Sequence, residues 1–180
     1  MNHIYQNENF GENWFTYPNL YKSMVEYFSN GSHFVEVGSW KGKSSAFLAV
    51  EIANSGKNIK FDCVDTWEGG PEHTDVDTTF LYDIFISNMK PLKKYYKALK
   101  MKSVDAAKLY DDNSLDFVFI DACHDYECVL EDIKAWYPKV KSGGILAGHD
   151  YPAFSGVVKA VHETINSNLY FTELCWVHKK

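Results

Sequence analysis

Four acidic residues and two histidines stand where short apolar runs end. They are Glu36 in Val35-Glu36-Val37-Gly38-Ser39, Asp65 in Cys63-Val64-Asp65, Asp121 in Phe119-Ile120-Asp121 with His124 three positions on, and the His149-Asp150 pair. A glycine directly after a strand lets the backbone turn sharply and lets a ligand approach closely. The helix that follows such a turn offers N–H groups to a carboxylate or a phosphate. Three cofactor classes use a turn of this kind. A P-loop needs one more residue between its glycines than the three that separate Gly38 from Gly42 in Gly38-Ser39-Trp40-Lys41-Gly42-Lys43-Ser44. A dinucleotide fingerprint needs Gly-x-Gly, which this turn lacks. The remaining class is a nucleoside cofactor without phosphates. Glu36 agrees with it, because a carboxylate there holds an ammonium group and repels phosphate.

Asp65 stands 23 residues past Gly42. An acid at the end of a second strand can accept hydrogen bonds from both ribose hydroxyls; it would serve equally as a helix cap or a solvated turn residue. Asp121 and Asp150 end the fourth and fifth strands, which in a doubly wound sheet are neighbours about 4.8 Å apart. Two carboxylates that close share a proton or hold a cation, and oxygen ligands with open positions suit Mg²⁺, Mn²⁺ or Ca²⁺. Asp121 alone would also serve as the N-cap of the following helix. His124 lies at the rim of the same crevice, where a neutral imidazole acts as a base near pH 7 or as a polar contact.

The elements that must position these residues are legible in the pattern of apolar runs. Strands are expected over 33–37, 59–64, 96–101, 115–120 and 145–147, with one or two closing strands over 171–177. Helices are expected over 19–28, 44–53, 79–89, 104–110, the stretch bearing Val129, Ile133 and Trp136, and 156–165. Gly143-Gly144 reads as a turn. Five β-then-α steps in succession make an α/β protein with a doubly wound, mostly parallel sheet in a single domain, whose ligand sits outside the carboxyl ends of the strands. Residues 1–30 read as an N-terminal helical segment, with Trp14-Phe15-Thr16-Tyr17 either a lid or an edge of the core. Residues 31–180 read as the cofactor-binding domain. The loop from Glu68 to Thr79, with His73, Asp75 and Asp77, is a candidate cover or a solvated loop.

Composition sets the frame. A chain of 180 residues with 46% hydrophobic and 16% aromatic content has ample material for a core. A net charge of −6 argues against a general nucleic-acid binder and against docking on an anionic membrane. No apolar run approaches a membrane span, and the polar N-terminus is no signal peptide. Four cysteines without a C-x-x-C pair imply reduced thiols, so a cytoplasmic location is expected. The lysines at 90, 93, 94, 97, 100 and 102 form a basic run that reads as a solvated face.

Taken in order, the segments Glu36 to Ser45, Asp65-Thr66-Trp67, Phe119 to Tyr126 and Ser142 to Tyr151 resemble the class I S-adenosylmethionine-dependent methyltransferases. More narrowly they resemble the metal-dependent sugar O-methyltransferases of the macrocin type. The resemblance implies a Rossmann-like sheet of seven strands. It implies that Glu36, Gly38, Ser39, Gly42 and Ser44 surround the methionine part of S-adenosyl-L-methionine, that Asp65 holds the ribose with Thr66 and Trp67 beside it, and that Ser103 lies near the adenine. It also implies that Asp121 borders the cofactor and, with the pair at His149 and Asp150, binds Mg²⁺ or another divalent cation, and that His124 is the catalytic base. The chain departs from those relatives at His149, where they carry an acid. Imidazole is a poor Mg²⁺ ligand, so the departure bears on which metal, if any, the site holds. The expected reaction is O-methyl transfer to a hydroxyl of a small molecule, a sugar or glycosylated metabolite. Expected partners are that acceptor, no nucleic acid and no membrane; a homo-oligomer is admitted and not specified. The competing readings are a P-loop kinase or NTPase and a non-catalytic module that binds the cofactor.

Overall fold

The computed structural model describes residues 1–70, 76–165 and 167–180. Helix α1 (Pro18–Tyr27) precedes strand β1 (His33–Val37). Then α2 (Lys43–Ser55), β2 (Lys60–Asp65), α3 (Leu81–Met89), β3 (Lys97–Lys100), α4 (Ser103–Ala107) and β4 (Leu115–Ile120) follow in alternation. The chain closes with α5 (Tyr126–Trp136), β5 (Val140–Gly148), α6 (Ser155–Thr164), β6 (Leu169–Thr172) and β7 (Cys175–Lys179). The seven strands form one sheet in the order β3-β2-β1-β4-β5-β7-β6. The first five are mutually parallel, and β7 runs antiparallel to both β5 and β6. The strand order reverses between β1 and β4, so the crevice belongs at their carboxyl ends.

Side chains of each strand alternate between two cores. Phe34, Phe117 and Phe119 pack with α1, α2 and α3 on one face, and Val35, Val118 and Ile120 with α4, α5 and α6 on the other. The N-terminal segment belongs to the first of these cores: Phe10, Phe15, Tyr17, Leu20 and Tyr21 are all buried there. Proline at the first position of α1 suits a turn whose N–H groups have no helical partner. The Glu173 carboxylate, from the β6–β7 turn, accepts from the Leu20 N–H at 2.9 Å and the Asn19 amide at 2.6 Å.

One expectation needed revision, the turn at Gly143-Gly144. Gly143-Gly144 does not end a strand but lies within β5, where the β4–β5 register shifts between Leu115 and Phe117. Gly143 has a φ of +79° and its N–H bonds Lys180 O at 2.7 Å, so the pair makes a bulge inside a continuing strand. The closing region is a full hairpin, β6–β7, turned by Glu173 and Leu174 with φ of +50° and +62°. That is the backbone of a two-residue hairpin turn without its usual asparagine or glycine, so the composition concealed it. Among the described residues no helix is long and apolar enough to cross a membrane. None of the four cysteines forms a disulfide.

Candidate active site

The sheet gathers its chemistry at the carboxyl ends of β1, β2, β4 and β5. Ladder hydrogen bonds continue one residue past the strands: Gly38 N to Val64 O at 2.8 Å, Asp121 N to Val37 O at 2.8 Å and His149 N to Ile120 O at 3.0 Å. The strand ends are thereby stitched in register, and the residues that follow them share one crevice. Gly38 shows how tightly. Its φ is +89°, and a Cβ placed there would stand 1.8 Å from the carbonyl oxygen of Asp121. Only glycine admits both that conformation and that approach.

Asp65 organises the turn. Its Oδ2 accepts the Ser39 and Trp40 N–H groups at 2.9 Å each, and its Oδ1 accepts the Trp67 N–H at 2.7 Å. A carboxylate thus occupies the amides that a phosphate would need. Both lysines of the turn point elsewhere: Lys43 donates to Gly11 O and Glu12 O at 3.1 and 2.9 Å, and Lys41 pairs with Glu12 at 3.3 Å. This arrangement contradicts the P-loop alternative, because both the amide nest and the lysine that would receive a phosphate are already committed.

Glu36 is fully buried at the end of β1. It accepts from Tyr21 at 2.8 Å, from Ser39 at 2.9 Å, and from Ser45 and Ser44. Burial pushes its carboxyl up to about 7, and the hydroxyl donors hold it from going higher. The hydroxyls of Ser39, Ser44 and Ser45 surround the buried carboxylate. Gly42 caps α2 with φ +89° and faces Phe85 and Met89 of α3 rather than the crevice. Trp67 is likewise core: it is buried, packs on Tyr82 and Phe85, and gives its indole N–H to Trp40 O at 2.8 Å. Thr66 beside it accepts the Glu68 N–H at 3.2 Å. Ser103 opens α4, accepts the Trp136 indole N–H at 2.9 Å and bonds Asp132, which ties α4 to α5. His73 and Asp75 of the 68–79 loop lie outside the described residues.

The other wall of the crevice is an acid pair between two imidazoles. Ligand atoms of Asp121, His124 and Asp150 lie within 4.8 Å of one another. His124 Nε2 stands 2.8 Å from Asp150 Oδ2, and Phe154 stacks on its ring with centroids 4.1 Å apart. His149 Nδ1 stands 3.3 Å from Asp150 Oδ1 and 3.6 Å from Asp121 Oδ1. Burial works against a charged His149, but hydrogen bonds and charge from Asp121 and Asp150 outweigh it and raise the ring to about 10. Burial would raise Asp150, yet its bonds to His124 and His149 hold it well below the usual carboxylate range. Asp150 takes a left-handed φ of +66°, which aspartate tolerates better than most residues.

Two participants were invisible to motif reading. Tyr17, fully buried, donates to Asp121 Oδ2 at 2.6 Å, and Thr16 Oγ1 meets His149 Nε2 at 2.8 Å. Burial and the neighbouring Asp121 keep the Tyr17 phenol protonated and therefore a donor. The only signal in the sequence was a hydroxyl on each of two residues in an aromatic cluster. The donor set as a whole fits a divalent cation. Two carboxylates and at least one imidazole converge, a set that departs from the all-oxygen shell Mg²⁺ demands.

The profile of a family described as a methyltransferase domain matches residues 35–151, the stretch from β1 through the acid pair. An uncharacterized protein of Acanthamoeba polyphaga mimivirus is 28% identical over 121 residues, 66% of this chain and 51% of that protein. The chain thus spans about half the length of the curated relative it matches. Among solved structures, the O-methyltransferase NovP superposes with a TM-score of 0.68 at 17% identity, over 91% of this chain and 78% of that one. CalS11, a TDP-rhamnose 3'-O-methyltransferase, superposes with a TM-score of 0.64 at 11% identity, over 90% and 76%. By its matched segment and its seven-stranded sheet, the chain belongs to the methyltransferase-domain family and has the class I S-adenosylmethionine-dependent methyltransferase fold.

Proposed function

We propose that the protein transfers a methyl group from S-adenosylmethionine to a hydroxyl of a small-molecule acceptor, a sugar or glycosylated metabolite, assisted by a divalent cation. The observation that carries the reading is the His124–Asp150 contact of 2.8 Å beside Asp121, across the crevice from the Gly38 turn. When bound, the cofactor supplies an electrophilic methyl carbon on a sulfonium, and the cation supplies charge that lowers the pKa of a hydroxyl. The chain's residues then have definite tasks. Asp150 accepts from His124 Nε2–H and fixes the tautomer whose basic nitrogen is Nδ1. His124 would take the proton that an acceptor hydroxyl must lose to become a competent oxygen nucleophile. Asp121 and Asp150 would hold the cation, with Tyr17 keeping Asp121 in place. Phe154 shields one face of His124 from water. On the cofactor side, Asp65 keeps the turn shaped, and Ser39 and Ser44 bring the buried Glu36 charge within reach of an ammonium through their hydroxyls.

Support for an oxygen acceptor comes from NovP and CalS11, whose names describe them as O-methyltransferases; CalS11 is described as acting on TDP-rhamnose. The decisive experiment incubates the protein with methyl-labelled S-adenosylmethionine, Mn²⁺ or Mg²⁺, and separate panels of nucleotide-activated sugars, glycosides and catechols. Label in a sugar ether is the expected result. Label confined to catechols would displace the sugar, and label in no acceptor despite tight cofactor binding would favour a non-catalytic module.

A further inference from the structure

The two edges of the sheet are built differently. At one, β3 carries exposed Lys97 and Lys100, whose charges keep another strand away. At the other lies β6, Leu169-Tyr170-Phe171-Thr172, which has neither charge nor proline. Tyr170 and Phe171 are 46% and 47% exposed. Tyr170 opens onto a groove walled by Met24 and Tyr27 of α1, and Tyr27 is itself 55% exposed. Phe171 points to the opposite face of the sheet and stacks on Tyr151 with centroids 4.2 Å apart.

The hydrogen-bond phase of β6 follows from its neighbour. Lys179 gives its N–H to Asn168 O at 3.3 Å, and Leu169 to Thr172 run in register against His178 to Cys175. In an antiparallel pair the bonded residues alternate, so Tyr170 and Thr172, like Asn168, turn their backbone groups to β7. Leu169 and Phe171 turn theirs outward. Among the described residues no strand lies beyond β6 to receive them.

We infer that β6 is a homodimer interface: it pairs antiparallel with β6 of a second copy about a twofold axis at Tyr170, which joins two sheets into one. Leu169 of each copy then faces Phe171 of the other, and the two pairs exchange about four hydrogen bonds. The two Tyr170 side chains meet at the non-bonded position between them, with Cα atoms about 4.5 Å apart. The segment suits its own copy because this register is self-complementary. Asn168 faces Thr172 and Ser167 faces Glu173, so no like charges oppose each other across the axis. Half of three aromatic side chains of roughly 200 Å² each is about 300 Å² a copy, or about 600 Å² for both. Backbone, Leu169 and Thr172 bring the total near the low end of specific interfaces, about 1,000 Å². The dimer is therefore weak, with a Kd on the order of 10 µM.

Sedimentation velocity of the full chain from about 1 to 200 µM tests this across the expected Kd. A reversible monomer–dimer equilibrium is the expected result. Tyr170→Lys and Tyr170→Glu each set like charges against each other and should each weaken association by about tenfold or more. An equimolar mixture of the two variants should restore the dimer, because antiparallel pairing centred on this residue sets the opposite charges face to face. Ile86→Lys, at a position of α3 that is 37% exposed, should leave the equilibrium unchanged. Circular dichroism and Tm show that each variant is folded, and the unsubstituted chain carries the test if one is not. A chain that stays monomeric throughout the range overturns the inference. So does a dimer that persists unweakened in both Tyr170 variants, or a mixture of them that stays monomeric. None of these readings depends on methyl transfer.

Discussion

His124 and Glu36 mark the two ends of the crevice at the residue scale. If His124 takes the proton, His124→Ala should lower turnover by roughly 10²-fold or more while S-adenosylhomocysteine affinity stays within about twofold. Unchanged turnover would leave the ring only a contact for Asp150. Glu36 titrates in a range that can be tested by stability alone. Its folded pKa, about 7, lies above the ordinary 4.5 because the carboxyl is buried. Below pH 4.5 it is protonated whether the chain is folded or not, and it contributes nothing. From there to about pH 7 the folded state binds more protons than the unfolded one, so stability falls as pH rises. Above the folded pKa the cost is complete, at most about 3 kcal/mol. Glu36→Gln should therefore raise Tm at pH 8 and lose that gain near pH 4.5. The same offset at both values would show that the carboxyl is not paying for its burial by titration. Much of this chemistry was legible as residue type and strand position: Asp121, His124 and Asp150 do converge. What could not be read was direction. Nothing in Cys63-Val64-Asp65 announces that the carboxylate turns onto three backbone N–H groups, or that Ser103 spends its hydroxyl on Trp136.

Elements carry the positioning, and the Gly38 turn carries most of it. Any side chain there would collide with backbone, not with a side chain able to swing aside, since the obstacle is the Asp121 carbonyl 1.8 Å away. Gly38→Ala should cost about 3 kcal/mol or more in a urea titration and displace Asp121. A loss under about 1 kcal/mol would mean that the β1 and β4 ends can separate freely, which would undo the stitched crevice. Helices and strands with clean periodicity were foreseen to within a few residues, because apolar runs of alternating period leave few other ways to bury them. A closing pair of strands was foreseen too, but its turn at Glu173-Leu174 and the bulge at Gly143-Gly144 were not, since each is decided by tertiary pairing against local composition. The lysine run also gains an account at this scale. It lies on β3 and the short connections on either side of it, and β3 is one edge strand of the sheet. Exposed lysines on an edge strand discourage pairing with another chain.

At the scale of the whole molecule, the site depends on parts that are distant in the chain. Thr16 and Tyr17 reach His149 and Asp121, and Glu173 caps the helix that follows them. A ligand seated in the crevice and binding only the folded state therefore stabilises the entire fold by mass action. At a concentration about 100 times its Kd, S-adenosylhomocysteine should add about 2.7 kcal/mol. For a domain of this size that raises Tm by roughly 5–10 °C. ATP should add nothing, since its phosphates would meet the Asp65 carboxylate where they need amides. Asp65→Ala separates two roles that one carboxylate now combines. Losing an acceptor for three backbone N–H groups should lower Tm without ligand, whatever else the residue does. A ribose contact predicts in addition that the ligand-induced rise shrinks, with Kd weakened about tenfold or more. If the baseline falls and the rise with ligand is unchanged, Asp65 shapes the turn and some other acceptor holds the ribose.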